Sequence, residues 1–246
     1  GGNYNVVVGD EAGTAITTGD NNVAVGFEAL KTLSTSSQNT AVGHTALKLN
    51  TAANNTAFGY AALTANSTGT YNVALGRSAG AAITTGIENT IAGARAGAAL
   101  ITGQENAVFG QQALSADTAG NHSTAIGHGA LFNQNFTSST DSNNTAVGFS
   151  AGASVTTGIF NTLIGALAGD AITTAGYNTV MGSGALGTNI LSSANVAIGQ
   201  DCLLNHNLAS AGNGYNTAVG TNAGAAVSTG VQNTLIGGQA GAALTT

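Results

Sequence analysis

One short pattern of polar and apolar positions recurs along the whole chain. A polar residue, Asn in all but one copy, is followed by Thr or Val in most copies, two apolar residues and Gly, as in N-T-A-V-G at 144–148. Numbered from its first residue, each copy has this Gly at position 5. The spacing is 17 residues except for one of 16 and two of 21. A short fixed period predicts a solenoid, whose units bury apolar side chains only by stacking on their neighbours. The fourteen glycines are Gly9, Gly26, Gly43, Gly59, Gly76, Gly93, Gly110, Gly127, Gly148, Gly165, Gly182, Gly199, Gly220 and Gly237.

Positions 2 to 4 of each copy are predicted to form a β-strand. The segment is too short for a helix, it is rich in β-branched residues, and a glycine ends it. Proline, which would remove a donor from a sheet, is absent from the 246 residues. The sequence therefore predicts an all-β fold, a parallel β-solenoid (β-roll) of about fourteen 17-residue coils. Residues 1–246 are predicted to form a single repeat array.

The first and fifth positions of each copy are predicted to have structural roles. Asn at position 1 tolerates a left-handed backbone at a corner, and it can stack on the Asn of the next coil as a ladder. Gly at position 5 is expected to supply a positive φ or room for a close backbone approach. A phosphate-binding glycine loop is not predicted, because that motif occurs once and opens a helix.

Positions 9 and 12 vary together. Where position 9 is Gly, position 12 is a large aliphatic residue, as in Gly80 with Ile83. Where position 9 is Leu, position 12 is usually polar, as in Leu114 with Asp117, and Leu33 is the exception. Protein interiors are closely packed, so a missing Leu must be replaced by volume from elsewhere. The two positions are therefore predicted to reach the same core.

Positions 3 and 4 are adjacent and apolar in every copy, so they point to opposite faces of the strand. A strand that is apolar on both faces is buried on both. The interior of the coil accounts for one face, and a second copy of the chain is expected to cover the other. We predict that position 3 faces that second chain in a trimer. A second sheet of the same coil is the alternative. The residues concerned are Ala41, Ala57, Ala146 and Ala218.

Charge is scarce, with ten acidic and four basic residues and a net charge of −6. So few bases leave no basic track for phosphates, and nucleic-acid binding is not predicted. No apolar run reaches the roughly 18 residues of a membrane span, so membrane insertion is not predicted either. The one cysteine, Cys202, excludes an internal disulfide framework.

No catalytic, cofactor-binding or metal-binding residues are predicted, and the chain is not predicted to be an enzyme. The acids are scattered, although Glu88 and Glu105 lie one coil apart at the same phase and are expected to stack side by side. The four histidines are interpreted as solvated side chains. The oxygen-rich run at 141–144 matches no established calcium loop. Cys202 stands where other copies have Ala and is interpreted as a small core residue.

The copies N-T-A-V-G at 39–43 and N-V-A-I-G at 195–199 resemble the head repeats of YadA-type trimeric autotransporter adhesins. They also resemble the repeats upstream of endosialidase-type chaperone domains in phage tail fibres. The resemblance covers all fourteen copies. It implies a parallel β-roll, three chains around one axis, and an extracellular location at a cell surface or on a virion. It also implies an adhesive or fibrous role, with a cell-surface glycan or protein as receptor.

These observations predict a non-enzymatic structural and adhesive segment of an extracellular fibre. The alternative is an ice-binding β-solenoid, which uses a flat, weakly charged face with regular threonines. A partial row of threonine pairs is present, and every copy with Leu at position 9 interrupts the pairing. A glycan-processing fibre enzyme has no residues to which catalysis could be assigned. The partial row is supplied by Thr17 and Thr18, Thr84 and Thr85, Thr156 and Thr157, and Thr173 and Thr174.

The two ends of the sequence are almost in phase with each other. The chain stops after the threonine pair at 245–246 and starts with G-G-N-Y-N, which is how a coil resumes after such a pair. We expect that the sequence is a segment cut from a longer repeat array. The alternative is that subunits stack head to tail into a fibre.

Overall fold

A computed structural model of the protein describes residues 2–246, and within them the fold is all-β with no helix. Each of the fourteen repeats contributes one three-residue strand at positions 2 to 4, as predicted. Four further strands have two residues each. The three-residue strands are β1 (Val6–Val8), β2 (Val23–Val25), β3 (Thr40–Val42), β4 (Thr56–Phe58), β5 (Val73–Leu75), β6 (Thr90–Ala92), β7 (Ala107–Phe109), β9 (Thr124–Ile126), β11 (Thr145–Val147), β12 (Thr162–Ile164), β13 (Thr179–Met181), β15 (Val196–Ile198), β17 (Thr217–Val219) and β18 (Thr234–Ile236). The two-residue strands are β8 (Gly120–Asn121), β10 (Thr140–Asp141), β14 (Ser192–Ser193) and β16 (Gly212–Asn213).

The chain divides into two compact units. The first comprises Gly1–His122 and Phe136–Thr140, and the second comprises Ser123–Asn135 and Asp141–Thr246. In the first unit β1 to β7 pair in chain order, all parallel and in register. In the second unit β9, β11, β12, β13, β15, β17 and β18 do the same. Each position therefore stacks on the same position of the next coil, which confirms the parallel β-solenoid of about fourteen turns.

A ladder of buried asparagines runs through position 1. In the first unit Asn72 Oδ1 accepts hydrogen bonds from the backbone N–H and the side-chain amide of Asn89, at 3.1 and 3.0 Å. Asn89 Nδ2 in turn donates to the carbonyl of Gly103 at 2.9 Å. The predicted ladder is confirmed. The expectation of a left-handed Asn is wrong, because the preceding residue takes that conformation, as Tyr71 and Glu88 do with φ of 59° and 58°.

The glycine at position 5 has both of its predicted roles. Gly59 has a φ of 140°, and a Cβ there would lie 2.6 Å from the carbonyl oxygen of Gly76 in the next coil. Only a residue without a side chain allows the two backbones to approach so closely. The column of glycines thus ends every three-residue strand and lets the chain turn while the coils stay in register.

The core lies inside each coil and is built by positions 3, 9 and 12. A Cβ at Gly152, a position-9 glycine, would touch Leu163 at position 3, Leu131 at position 9 and Val155 at position 12, at 2.5 to 3.3 Å. Each of these side chains is fully buried. The prediction that positions 9 and 12 reach the same core is confirmed.

Position 3 faces the interior of its own coil, so the prediction that it faces a second chain is wrong. The strand alternation leaves one of positions 3 and 4 inside and the other outside. The interior has room for position 3 because the aliphatic residues of positions 9 and 12 close over it. Ala41, Ala57, Ala146 and Ala218 all have 0% exposure.

The polar residues at position 12 are also buried, in contact with backbone groups and with the asparagine ladder. Asp117 Oδ1 accepts from the backbone N–H groups of Gly120 and Phe136, each at 3.0 Å. Gln134 donates to Ser123, which stands where other coils have Asn, and accepts from Asn144 at 2.9 Å. The longer side chain of Gln134 thus supplies the hydrogen bonds that connect Ser123 to the next asparagine of the ladder. The position-12 residues concerned are Asn50, Asn66, Asp117, Gln134, Asn189 and His206.

We expect Leu114→Gly to lower the free energy of unfolding by about 2–5 kcal/mol, because it leaves a cavity in a packed core. Adding Asp117→Ile supplies aliphatic volume at position 12 but removes the acceptor of buried N–H groups, each worth roughly 1–3 kcal/mol. The double variant is therefore expected to be no more stable than Leu114→Gly alone. Urea denaturation of both single variants and the double variant measures this. A double variant more stable than Leu114→Gly contradicts the role given to Asp117.

Candidate functional site

The most distinctive exposed surface is the outward face, defined as the side chains at positions 2 and 4 of the coils. Position 4 is apolar in every coil, position 2 is Thr, Val or Ala, and neither position carries a charge anywhere in the chain. Large side chains remain exposed, such as Phe58 at 57% and Leu75 at 45%. The position-4 residues are Val8, Val25, Val42, Phe58, Leu75, Ala92 and Phe109 in the first unit, and Ile126, Val147, Ile164, Met181, Ile198, Val219 and Ile236 in the second.

This face follows directly from strand geometry. Positions 1 and 3 point inward to the asparagine ladder and the core, so positions 2 and 4 must point outward. Parallel pairing in register places equivalent residues of neighbouring coils about 4.8 Å apart, in straight rows. Within each unit the outward face is therefore a strip of two rows, with Thr, Val or Ala at position 2 and apolar residues at position 4.

Aromatic residues border the outward face at both strand ends. At position 6, Phe27, His44 and Tyr60 stack in successive coils with ring centroids 5.0 Å apart. At the residue just before position 1, Phe160 and Tyr177 stack at 5.1 Å. These ring contacts join successive coils and so reinforce coil-to-coil contact, although the aromatic side chains themselves stay exposed, as Tyr177 does at 62%.

Four charged side chains form an ion-pair ladder in the first three coils. Lys31 and Lys48 both lie 2.6 Å from the Glu28 carboxylate, and Lys31 also contacts Glu11. Hydrogen bonds from Lys31, and then from Lys48, lower the pKa of Glu28 from 4.5 to about 2. Both lysines of the chain are thus neutralised by neighbouring acids.

Cys202 is fully buried, and its thiol lies 3.2 Å from the carbonyl oxygen of Ala218. Burial raises the pKa of this thiol from 9.0 to about 11, which keeps it protonated and unreactive near neutral pH. Its interpretation as a core residue is confirmed.

The interpretation of all four histidines as solvated is wrong for His206. This residue is fully buried, with Nε2 at 2.9 Å from Ser192 Oγ and 3.4 Å from Asn216 Nδ2. Burial lowers its pKa. The sequence held a signal for this position, because His206 occupies position 12, which was predicted to reach the core together with position 9.

The remaining candidate residues do not converge. Glu88 and Glu105 occupy the same position in neighbouring coils, as predicted, since Glu88 lies two residues before β6 and Glu105 two residues before its paired strand β7. The carboxylate of Glu105 lies 3.4 Å from the imidazole of His122. Asp141 is exposed, whereas Ser142 is buried against Ser123. Within residues 2–246 there is no pocket and no group of three or more His, Cys, Asp or Glu side chains placed to hold a metal ion. The same residues include no helix with the length and apolarity needed to cross a membrane.

Comparison with family models, curated proteins and solved structures gave no match for this chain. The fold defines the class of protein, a parallel β-solenoid built from a short repeat. The resemblance to adhesin head repeats and phage tail-fibre repeats depends on the repeat residues alone and stays a prediction.

Proposed function

We propose that this chain is a non-enzymatic structural segment of an extracellular fibre, in which several copies associate through their outward faces. The observation that carries the proposal is the apolar, charge-free row that position 4 forms along the paired strands of each unit. Large exposed apolar patches mark interaction surfaces in soluble proteins. Depletion of charge is the compositional mark of an interface core.

The placement of the other side chains supports the same proposal. The core positions 3, 9 and 12 are filled from within the coil, so the outward face is not needed to complete the fold of a single chain. Its apolar residues are therefore available to a partner. The resemblance of the repeat to adhesin heads and phage tail fibres favours a trimer. It also favours a role in attachment at a cell surface or on a virion, with a glycan or protein receptor.

We expect Phe109→Glu to disrupt assembly, because it places an unpaired charge in the centre of an apolar interface. The dissociation constant of the assembly should rise at least about a hundredfold, as measured by sedimentation equilibrium. Leu49→Glu is the matched control, since Leu49 is similarly exposed, 48% against 41%, but lies at position 11, away from the outward face. Circular dichroism establishes that both variants keep the fold.

The control and the wild type decide the outcome. The proposal requires that the wild-type chain assembles and that Leu49→Glu assembles as well as the wild type does. A wild-type chain that is monomeric at all accessible concentrations contradicts the proposed association. Equal weakening by both substitutions assigns the contact to some other surface and also contradicts it.

An ice-binding function is the second candidate, and one observation favours it. Threonine stands at position 2 in nine of the fourteen coils, including Thr40 and Thr56 in coils with Leu at position 9, so the outward face carries runs of threonine that Val or Ala interrupts. The threonine pairs considered from the sequence are less suitable. Hydroxyl groups of Thr17 and Thr84 donate to backbone carbonyls of the next coil, at 3.2 and 3.3 Å. Thermal hysteresis in the wild-type protein that Thr56→Tyr abolishes would support this candidate over a fibre segment.

A further inference from the structure

The outward face carries opposite charges at its two edges in the middle of the first unit. Arg77 and Arg95 follow strands β5 and β6, at positions 6 and 7 of their coils, and both are exposed. Glu88 and Glu105 precede strands β6 and β7, at the residue before position 1, and are also exposed. One edge is therefore basic and the other acidic, with the uncharged strip between them.

Among residues 2–246, these arginines are the basic side chains that form no ion pair. Of the four basic residues, Lys31 and Lys48 are engaged with Glu28. Among the described residues, neither Arg77 nor Arg95 forms an ion pair. In a chain with so few charges, two free guanidinium groups in neighbouring coils are a local concentration of positive charge beside an apolar surface.

We propose that these two edges join copies of the chain in a parallel cyclic assembly, in which the acidic edge of one copy contacts the basic edge of the next. The proposal rests on the association of outward faces proposed above and adds the partner's orientation. Glu88 and Arg95 flank the same strand, β6, so they lie in the same coil. They are the pair expected to meet across each contact between copies.

Symmetry explains why the charges select a parallel arrangement. Rotation about an axis parallel to the coil stack keeps every coil at its own height and brings opposite edges together, so Glu88 meets Arg95. A two-fold axis perpendicular to the stack at the height of β6 reverses one chain and brings like edges together, so that Arg95 faces Arg95 and Glu88 faces Glu88. Like charges brought together at an interface disfavour that arrangement.

The charge pattern also fits its place at the rim of the interface. Interface centres are apolar and their rims are polar and solvent-accessible. Rim charges determine orientation and partner choice more than total affinity. The uncharged outward face would thus supply the driving force, and the two edges would exclude the antiparallel arrangement.

Charge reversal and charge exchange test the proposal. We expect Arg95→Glu and Glu88→Lys each to raise the dissociation constant of the assembly about tenfold or more at low salt. The double variant, with both substitutions, restores opposite charges across every contact and should return to within about threefold of the wild type. The effects of the single variants should shrink as the salt concentration rises to about 0.5 M.

The outcomes separate this proposal from the one on which it rests. Assembly that is lost in Phe109→Glu but unchanged in Arg95→Glu and Glu88→Lys retains the outward-face interface and overturns the edge contact. Tighter association of Arg95→Gln, which would remove a repulsion between facing arginines without creating a new one, indicates that like edges meet and overturns the parallel arrangement. Failure of the double variant to recover, with its circular dichroism spectrum and melting temperature intact, also overturns the pairing. A monomeric wild type overturns both proposals.

Discussion

Gly165→Ala is expected to lower the free energy of unfolding by roughly 3 kcal/mol or more, one of the two largest effects of a single substitution in this chain. Gly165 has a φ of 132°, which a residue with a side chain adopts only under strain. A Cβ there would lie 2.7 Å from the carbonyl carbon and oxygen of Gly182 in the next coil. These are backbone atoms, so relief requires that two coils move apart and weaken the hydrogen bonds between β12 and β13.

Gly238→Ala is the matched control for this prediction, because a Cβ at Gly238 meets no atom within 4 Å. Urea denaturation followed by far-ultraviolet circular dichroism compares the two variants with the wild type. We expect Gly238→Ala to change stability by less than about 0.5 kcal/mol. Equal stability of the two variants would show that close packing of neighbouring coils does not determine the glycine at position 5.

Asn161→Ala is the second substitution expected to be severe, with a loss of about 3–5 kcal/mol from several orphaned polar groups. Asn161 Nδ2 donates to the carbonyl of Ala175 at 3.0 Å and to Asn144 Oδ1 at 3.3 Å. Its Oδ1 accepts from the backbone N–H and the side-chain amide of Asn178, each at 3.2 Å. All of these groups are buried, so water cannot replace the lost partners.

An exposed asparagine provides the comparison for the ladder. Asn133 lies at position 11 on the surface, where Asn133→Ala is expected to change stability by less than about 0.5 kcal/mol. Hydrogen exchange adds a local measurement, since the amide of Asn178 should lose protection in Asn161→Ala before the rest of its unit does. Uniform protection in that variant would mean that the ladder does not hold neighbouring coils together.

Much of the architecture was predictable from the order of residues alone, because a stacked repeat makes each local preference recur in every coil. The residues of Thr145–Val147 predict a strand without any tertiary information. Because equivalent strands recur at a fixed spacing, parallel stacking lets every one of them pair with its neighbours in the same register. One coil has Gly152 at position 9 and Val155 at position 12, whereas the preceding coil has Leu131 and Gln134. Each coil thus supplies one aliphatic side chain, which identifies positions 9 and 12 as parts of one core. These inferences succeed because they depend on contacts repeated between adjacent coils.

Tertiary structure determined which face of each strand is buried and which groups surround the polar side chains. The sequence shows that positions 3 and 4 are both apolar, but only the closed coil, with its interior filled from positions 9 and 12, places Ala146 inside and Val147 outside. The burial of Asp117 and His206 also depends on the path of the turn, since polarity alone predicts exposure. The charged edges can be recognised only once the strand ends are known. Glu88 lies before β6 and Arg95 lies after it, which places the two side chains at opposite edges of the outward face. Local sequence determines which conformations a segment prefers, whereas burial and neighbours depend on how the whole coil closes.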